Sequence, residues 1–238
     1  MSSHELYLAI GEKNRPFLDA NEPIVDEFVL DPSRDSRKGI SLILPIRLEG
    51  EAYRELIQSV SLIEPDQYYY PAGDLHTTIF DFVSARAGFA SNPDLDMAFL
   101  DIASRACAAM KPFELRFEGV VCSREAGLIA GYDGDALIEL RSRIRQELAE
   151  AGLKNDERYD SRSAHCCFMR FAARLRMPRR FLETIGSWDK VSFGASTYGA
   201  AELVEHDWYN RKTSLRKIGT TVFGTDGKGG AKTEWPKR

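Results

Sequence analysis

The sequence lacks the features that mark a secreted, membrane-bound or disulfide-stabilised protein. Its four cysteines show no C-x-x-C spacing, so we expect reduced thiols rather than a disulfide framework. No apolar run approaches the length of a membrane span. The first residues do not combine a basic start with an apolar run, as a secretory signal does. We therefore expect a cytoplasmic protein with no membrane partner.

An excess of positive charge is also lacking. The 32 lysines and arginines are outnumbered by 36 acidic residues, and the formal net charge is -4. A general nucleic-acid coat protein is basic overall, so we expect no DNA partner. The charge is nevertheless uneven, because residues 158–180 hold seven arginines against the single acid Asp160. By count, such a cluster is more often solvated surface; alternatively, it attracts a phosphorylated ligand.

The composition is that of an ordinary globular protein, with 43% hydrophobic and 29% charged residues in a chain of 238. Residues 1–38 contain three prolines, the first of them Pro16, which are expected to interrupt any long element, so this segment is predicted to be an extension. Residues 39–223 are predicted to form a single bilobal domain. The Gly- and Lys-rich residues 224–238 are predicted to be a flexible tail. We expect a monomer.

Hydrophobic periodicity predicts an order of strands and helices that occurs twice along the chain. Apart from two strands described below, strands are predicted at residues 40–46, 113–121, 128–132, 200–209 and 214–223. Helices are predicted at residues 51–63, 94–110, 135–148 and 179–185. Pro45 places its part of the first strand at a sheet edge or a bulge. The repeated order indicates an internal duplication of about half the chain.

Two short stretches, residues 74–82 and 164–171, resemble each other around a histidine. When His76 and His165 are aligned, the apolar residues that follow them fall into register. Both stretches contain β-branched or aromatic residues without Gly or Pro, which predicts strands. Two similar strands, each with a histidine, indicate a cleft built from two similar halves.

Strand alternation predicts which side chains reach this cleft. Successive side chains point to opposite faces, so Thr78 shares the face of His76 and Cys167 shares that of His165. The residues assigned to the opposite, buried face are Thr77, Cys166 and Phe168. The run His165-Cys166-Cys167 also suggests a metal site. Because alternation directs Cys166 away from its neighbours and no second cluster of ligands exists in the sequence, we predict no metal and no cofactor.

Paired histidines suit acid–base chemistry on phosphate esters. The unperturbed pKa of histidine lies near neutral pH, so one ring can accept a proton while the other donates one. Two rings on opposite sides of a phosphorus atom permit in-line attack by water or a neighbouring hydroxyl. Hydroxyl donors beside the rings stabilise the charge that develops on the phosphate oxygens. No metal is required for this scheme.

The stretch His76-Thr77-Thr78-Ile79 resembles the H-x-T/S-x signature of the two-histidine (2H) phosphoesterases, which include bacterial RNA 2′,3′-cyclic phosphodiesterases, formerly called RNA ligases. Such proteins carry the signature twice, and the resemblance covers residues 39–223. It implies an α+β bilobal fold with two antiparallel sheets facing a central cleft and helices outside. It also implies that His76 and His165 are catalytic and that Thr78 binds phosphate, together with Cys167, which stands where Thr or Ser is usual.

Three functional interpretations remain open. The first is a metal-independent phosphodiesterase acting on a cyclic phosphate or a 2′-linked phosphodiester of RNA ends or a small nucleotide. The second is a nucleotide- or phosphate-binding protein that kept the cleft and lost turnover at Cys167, because a thiol is a weaker donor than a hydroxyl. The third is a packed α+β protein whose histidines are incidental.

Three further side chains are candidate substrate contacts. Tyr70 lies in a run of three tyrosines and is placed either to stack on a base or to pack against the core. Arg162 and Arg170 are the arginines expected nearest the cleft, and the alternative is that either is simply solvated. His4 and His206 have no counterpart in the other half of the chain, so the sequence assigns them no role.

Overall fold

The computed structural model of the protein describes residues 2–48, 51–158 and 160–224. Within these ranges the α-helices are Ser3–Asp19 (α1), Ala52–Ser61 (α2), Pro93–Ala108 (α3), Ala136–Glu150 (α4) and Pro178–Gly186 (α5). The strands are Lys38–Pro45 (β1), Tyr68–Tyr69 (β2), His76–Arg86 (β3), Phe113–Cys122 (β4), Ala126–Tyr132 (β5), Cys166–Arg170 (β6), Ser192–Tyr198 (β7), Ala200–Asp207 (β8) and Arg216–Val222 (β9). The predicted flexible tail lies, from residue 225 onward, outside the described residues.

The strands form two antiparallel sheets. One sheet has the strand order β3-β1-β8-β9, and the other has the order β2-β6-β5-β4-β7. Helices α1 and α5 pack against β4, α3 packs against β9, and α4 packs against β3. The predicted α+β fold with two antiparallel sheets is therefore confirmed. Each sheet contains one of the two histidine segments.

Strand β1 lies at the centre of the four-stranded sheet, between β3 and β8. Its residues from Gly39 to Leu44 are buried, as expected for a strand covered on both faces. Pro45 is the last residue of β1 and lies opposite His76 of β3. The pairing of β1 with β8 ends at Ile43, so this end of β1 has a partner strand on one side only, and the register of β1 with β3 shifts between Leu42 and Ile43.

Helix α1 lies in residues 1–38, the segment predicted to be an extension. Its first turn is closed by a capping box, in which Ser2 and Glu5 satisfy each other's backbone N–H groups. The prediction that Pro16 interrupts any long element is wrong, because Pro16 lies in the last turn and the helix continues to Asp19. The side chains of Tyr7 and Leu18 are buried between α1 and the rest of the protein.

Strands β2 and β7 were not predicted from the sequence. Both are edge strands of the five-stranded sheet. β2 has only two residues, and β7 buries only Phe193, so neither produces an apolar pattern that identifies a strand. In the described part of the chain, no helix is both long and apolar enough to cross a membrane.

The two sheets meet at the histidine segments. The Thr77 hydroxyl of β3 donates a hydrogen bond to the carbonyl oxygen of His165, at 3.1 Å, just before β6 begins. Thr77 and Cys166 are buried, as predicted from strand alternation. The contact joins one sheet to the other at the point where both histidines emerge.

Candidate active site

A cavity of about 160 Å³ lies where the two histidine segments meet. The predicted site residues that line it are His76, Thr78, Tyr70, His165, Cys167 and Arg170. Arg162 does not line it: its side chain is 56% exposed and pairs with Asp160 at 3.8 Å. The structure thus separates Arg162 from the other predicted residues. Residues without a predicted role that also line the cavity are Ile79, Phe80, Asp81, Ala85, Glu157, Arg158, Ser161, His206, Trp208, Tyr209 and Asn210.

The same break in strand alternation shapes both halves of the cavity. In each segment the histidine, the second residue after it and the fifth residue after it are half-buried, whereas the residues between them are buried. The half-buried residues are His76, Thr78 and Asp81 in the first segment and His165, Cys167 and Arg170 in the second. A register shift accompanies each break, between β1 and β3 and between β5 and β6. An irregularity of this kind turns the following side chains to the other face.

The two histidines have different hydrogen-bond partners. Nδ1 of His76 lies 2.8 Å from the carbonyl oxygen of Asp74. Because a carbonyl only accepts, Nδ1 carries a proton, and Nε2 of the neutral ring is left as an acceptor. Nδ1 of His165 lies 2.8 Å from the hydroxyl of Ser163. A hydroxyl can donate or accept, so His165 can adopt either tautomer.

The surroundings favour the neutral form of both rings. Burial lowers the pKa of His76 from 6.5 to about 4, and burial likewise lowers the pKa of His165 from 6.5 to about 4. The positive charge of Arg170 contributes to both shifts. Both rings are therefore neutral at pH 7 in the protein alone. An anion bound between them stabilises the imidazolium form and raises these pKa values.

Cys167 presents an uncharged thiol. Burial raises its pKa, and the positive charge of Arg170 opposes this effect. A thiol that stays protonated at pH 7 does not repel a phosphate, although it is a weak donor. The structure thus leaves Cys167 compatible with an anion but poorly suited to hold one.

Tyr70 holds the arginine of the cavity in place. Nε of Arg170 donates a hydrogen bond to the Tyr70 hydroxyl at 3.0 Å. The Tyr70 ring makes an edge contact with the Tyr68 ring, at 5.1 Å between ring centroids. The backbone carbonyl of Tyr70 accepts a hydrogen bond from the Tyr53 hydroxyl. The guanidinium of Arg170 is therefore a fixed positive charge beside Cys167.

The N-terminal helix reaches the second histidine through Tyr7. The Tyr7 hydroxyl donates to the carbonyl of Gly131 at 3.1 Å and accepts from the backbone N–H groups of Gly131, at 3.2 Å, and Ala164, at 3.0 Å. Ala164 directly precedes His165. A Cβ on Gly131 would collide with the Ala164 carbonyl, so only glycine permits this approach. Sequence reasoning missed Tyr7 because nothing in the pattern of residues 1–38 places it near the cleft.

Arg141 links the two histidine segments through hydrogen bonds to their backbone carbonyl oxygens. Its side chain is fully buried. It donates to the carbonyl oxygens of Thr78, at 3.0 Å, and Ser163, at 2.8 Å, and a third bond goes to Ile79. Burial lowers the pKa of this guanidinium, but an arginine stays charged in proteins. One buried cation thus fixes the spacing between the segment that carries His76 and the segment that carries His165.

Two further cavity residues, His206 and Trp208, come from the end of β8 and the loop after it. Nε2 of His206 lies 2.6 Å from the hydroxyl of Ser41. The Trp208 ring lies between the guanidinium groups of Arg37, at 4.1 Å, and Arg158, at 3.9 Å. The sequence offers no motif at either position, because β8 reaches the cavity only through its pairing with β1.

Other features of the molecule are separate from this site. Among the described residues, no group of three or more His, Cys, Asp or Glu side chains could hold a metal ion. A second cavity, of about 310 Å³, lies between α1, β4 and α5 and is lined mainly by apolar atoms. It contains none of the residues predicted for the site. The chemistry-bearing side chains therefore point to the cavity between the histidine segments.

The chain has the fold of the two-histidine phosphoesterases, which confirms the resemblance at the level of the fold. It is similar to the crystal structure of TT0787 of Thermus thermophilus, with 13% identity, a TM-score of 0.54, and coverage of 80% of this chain and 99% of that chain. It is also similar to E. coli LigT complexed with 3′-AMP, with 13% identity, a TM-score of 0.51, and coverage of 79% and 99%. A third similar structure, described as a phosphoesterase, has 14% identity, a TM-score of 0.50, and coverage of 81% and 100%. No protein-family model and no curated protein matches the sequence.

Proposed function

We propose that the protein is a metal-independent phosphodiesterase that hydrolyses a 2′,3′-cyclic phosphate or a 2′-linked phosphodiester of an RNA end or a small nucleotide. The observation that carries this proposal is the presence of His76 and His165 in one cavity. Each ring is followed, two positions later, by a side chain that can donate to a phosphate oxygen, Thr78 in one segment and Cys167 in the other.

The hydrogen bonds of the two rings suggest different roles. Nε2 of His76 is an acceptor, because the Asp74 carbonyl holds the proton on Nδ1, so His76 takes a proton from the attacking water. The Ser163 hydroxyl can accept from Nδ1 of His165, so an imidazolium at this position keeps that hydrogen bond and presents a second N–H at Nε2. In this form His165 protonates the leaving ribose oxygen as the bond from that oxygen to phosphorus breaks, and the ring is left neutral.

The negative charge of a bound substrate favours the imidazolium form that the general acid requires. In the protein alone both histidines are neutral at pH 7, since burial lowers the pKa of each ring to about 4. A phosphodiester carries a negative charge, which raises the pKa of a ring beside it. Thr78 and Arg170 stabilise the charge that grows on the phosphate oxygens. The site thus becomes competent only when an anion occupies it.

The substrate class is proposed from two observations. The cavity carries a fixed cation, Arg170, which can pair with a phosphate group. E. coli LigT, which shares the fold, was crystallised with 3′-AMP. We therefore take a nucleotide or an RNA end as the substrate.

Hydrolysis of nucleoside 2′,3′-cyclic phosphates by chelator-treated protein tests the proposal. We expect turnover to persist in the chelator and to fall by at least ~10²-fold in His76→Ala and in His165→Ala, the usual size of a general acid–base contribution. His4→Ala is the matched control, because His4 is exposed on α1. Activity that disappears in the chelator and returns with zinc or magnesium would overturn the mechanism.

A second candidate function is binding without turnover. The observation that favours it is Cys167, which offers a weak thiol donor where the H-x-T/S-x signature has a hydroxyl. On this alternative, the natural protein binds 3′-AMP, His76→Ala weakens that binding, and neither protein hydrolyses nucleoside 2′,3′-cyclic phosphates detectably. Measuring binding and turnover on the same preparation distinguishes the two functions.

A further inference from the structure

The third histidine of the cavity belongs to a network to which the proposed reaction assigns no role. The Ser41 hydroxyl lies 2.6 Å from Oδ1 of Asp81 and 2.6 Å from Nε2 of His206. Nδ1 of His206 lies 2.6 Å from the carbonyl oxygen of Asp207. Ser41 and His206 are buried, whereas Asp81 is half-buried and lines the cavity together with His206. A carboxylate is therefore part of the wall of a site that is built for an anion.

Counting protons limits the states of this network. A carbonyl only accepts, so Nδ1 of His206 donates to it. The remaining two contacts can be satisfied in two ways. In the first, Nε2 of an imidazolium donates to Ser41, and Ser41 donates to an ionised Asp81. In the second, a protonated Asp81 donates to Ser41, and Ser41 donates to Nε2 of a neutral ring. Both arrangements hold one proton more than an ionised carboxylate with a neutral imidazole.

We propose that Asp81, Ser41 and His206 share this proton and so prevent Asp81 from placing an uncompensated negative charge in the cavity. The need for compensation follows from position. Asp81 is the fifth residue after His76, and the fifth residue after His165 is Arg170, which lines the same cavity. A cation at one of the two equivalent positions attracts phosphate, and an unneutralised carboxylate at the other repels it. His206 and Ser41 are thus positioning residues for the proton.

Burial and the neighbouring acidic groups act on His206 in opposite directions. Burial lowers the pKa of His206, and the Asp207 carbonyl, Asp81, Asp207 and Glu205 oppose this effect. Glu205 is itself paired with Lys38 of β1, at 3.5 Å, and with Arg216 of β9, at 2.5 Å. Across the cavity, an imidazolium at His76 and one at His206 disfavour each other. The other charged or titratable side chains that line the cavity are His165, Cys167, Arg170, Glu157, Arg158, Tyr70 and Tyr209.

Nuclear magnetic resonance of the natural protein tests the shared proton directly and requires no turnover. At pH 7 we expect either two protonated ring nitrogens on His206 with an ionised Asp81, or a single ring proton on Nδ1 with a protonated Asp81. The ¹⁵N shifts of the ring and the ¹³Cγ shift of the carboxyl report these states. An ionised Asp81 beside a His206 with one ring proton would overturn the proposal.

Binding of inorganic phosphate tests the consequence. This part rests on the proposed anion site, and it is separate from turnover. His206→Gln removes the group that shares the proton, so we expect the dissociation constant for phosphate to rise by roughly tenfold, as expected for one unit charge close to the ligand. Adding Asp81→Asn removes that charge and should restore the affinity to within about threefold of the natural protein. His4→Gln is the control.

The double variant makes the outcome decisive. A merely structural loss at His206 is not repaired by a second substitution, whereas a charge effect is. Equal phosphate affinity in His206→Gln and the natural protein, or a double variant that remains as weak as the single one, would contradict the proposal. If His206→Gln does not fold, the resonance measurement on the natural protein still decides. Failure of phosphate to bind the natural protein would instead contradict the proposed function.

Discussion

Removal of the Tyr7 hydroxyl of α1 should destabilise the protein and change the surroundings of His165. In Tyr7→Phe the ring remains, but the backbone N–H groups of Gly131 and Ala164 lose their acceptor, and the Gly131 carbonyl loses a donor. A buried donor left without a partner costs about 1–3 kcal/mol. With two such donors, we expect the free energy of unfolding to fall by about 2–6 kcal/mol.

Urea unfolding and the resonances of His165 measure the two effects of this variant. Tyr132→Phe is the matched control, because its ring contacts Tyr7 at 5.6 Å while the three backbone bonds stay intact. We expect the His165 ring resonances to shift in Tyr7→Phe and those of His206 to remain near their natural positions. A loss of stability no larger than that of Tyr132→Phe, with unchanged His165 resonances, would show that the Tyr7 hydroxyl does not hold the segment before His165.

Three other predictions concern the chemistry and the frame of the site. Cys167→Thr should raise kcat by roughly tenfold, equivalent to about 1.4 kcal/mol, because a hydroxyl aimed at developing charge acts on the transition state. Cys167→Ala should turn over no faster than the natural protein. Steady-state kinetics measure both variants, and an unchanged kcat in both would place Cys167 away from the phosphate. Guanidinium unfolding at a series of pH values should show a stability loss of roughly 6 kcal/mol as pH falls from 6.5 toward 4, about 3 kcal/mol for each ring, because the unfolded chain takes up protons there and the folded His76 and His165 do not. An unchanged pH dependence in the double alanine variant would contradict this assignment. Arg141→Lys should lower the free energy of unfolding by about 2–4 kcal/mol, since a lysine cannot bridge three carbonyl oxygens in this geometry. An unfolding free energy equal to that of the natural protein would contradict the bridging role.

The histidine strands could be predicted because their pattern is local. A histidine followed by Thr78 or Cys167, and then by a run of large apolar residues, identifies a strand with one polar face whatever the rest of the chain does. The helices α2 to α5 were predicted for the same reason, since each has an apolar stripe at helical spacing.

The residues that were missed depend on contacts between distant parts of the chain. Strict alternation places Asp81 on the face opposite His76, and only the register shift between β1 and β3 brings it to the cavity. His206 arrives there because β8 pairs with β1, which no local pattern reveals. Tyr7 reaches Ala164 across 157 positions of sequence. Arg162 was expected near the cleft from its distance in sequence to His165, and its side chain instead turns to solvent and Asp160.

The proposed mechanism requires that His76 and His165 act on one phosphate. A crystal structure of the protein soaked with a nucleoside 3′-phosphate measures this directly. We expect one phosphate group between the two rings, with an oxygen within about 3.2 Å of Nε2 of each histidine and with Arg170 beside it. A phosphate held by only one of the two rings, or bound instead in the cavity between α1 and β4, would contradict the proposed mechanism.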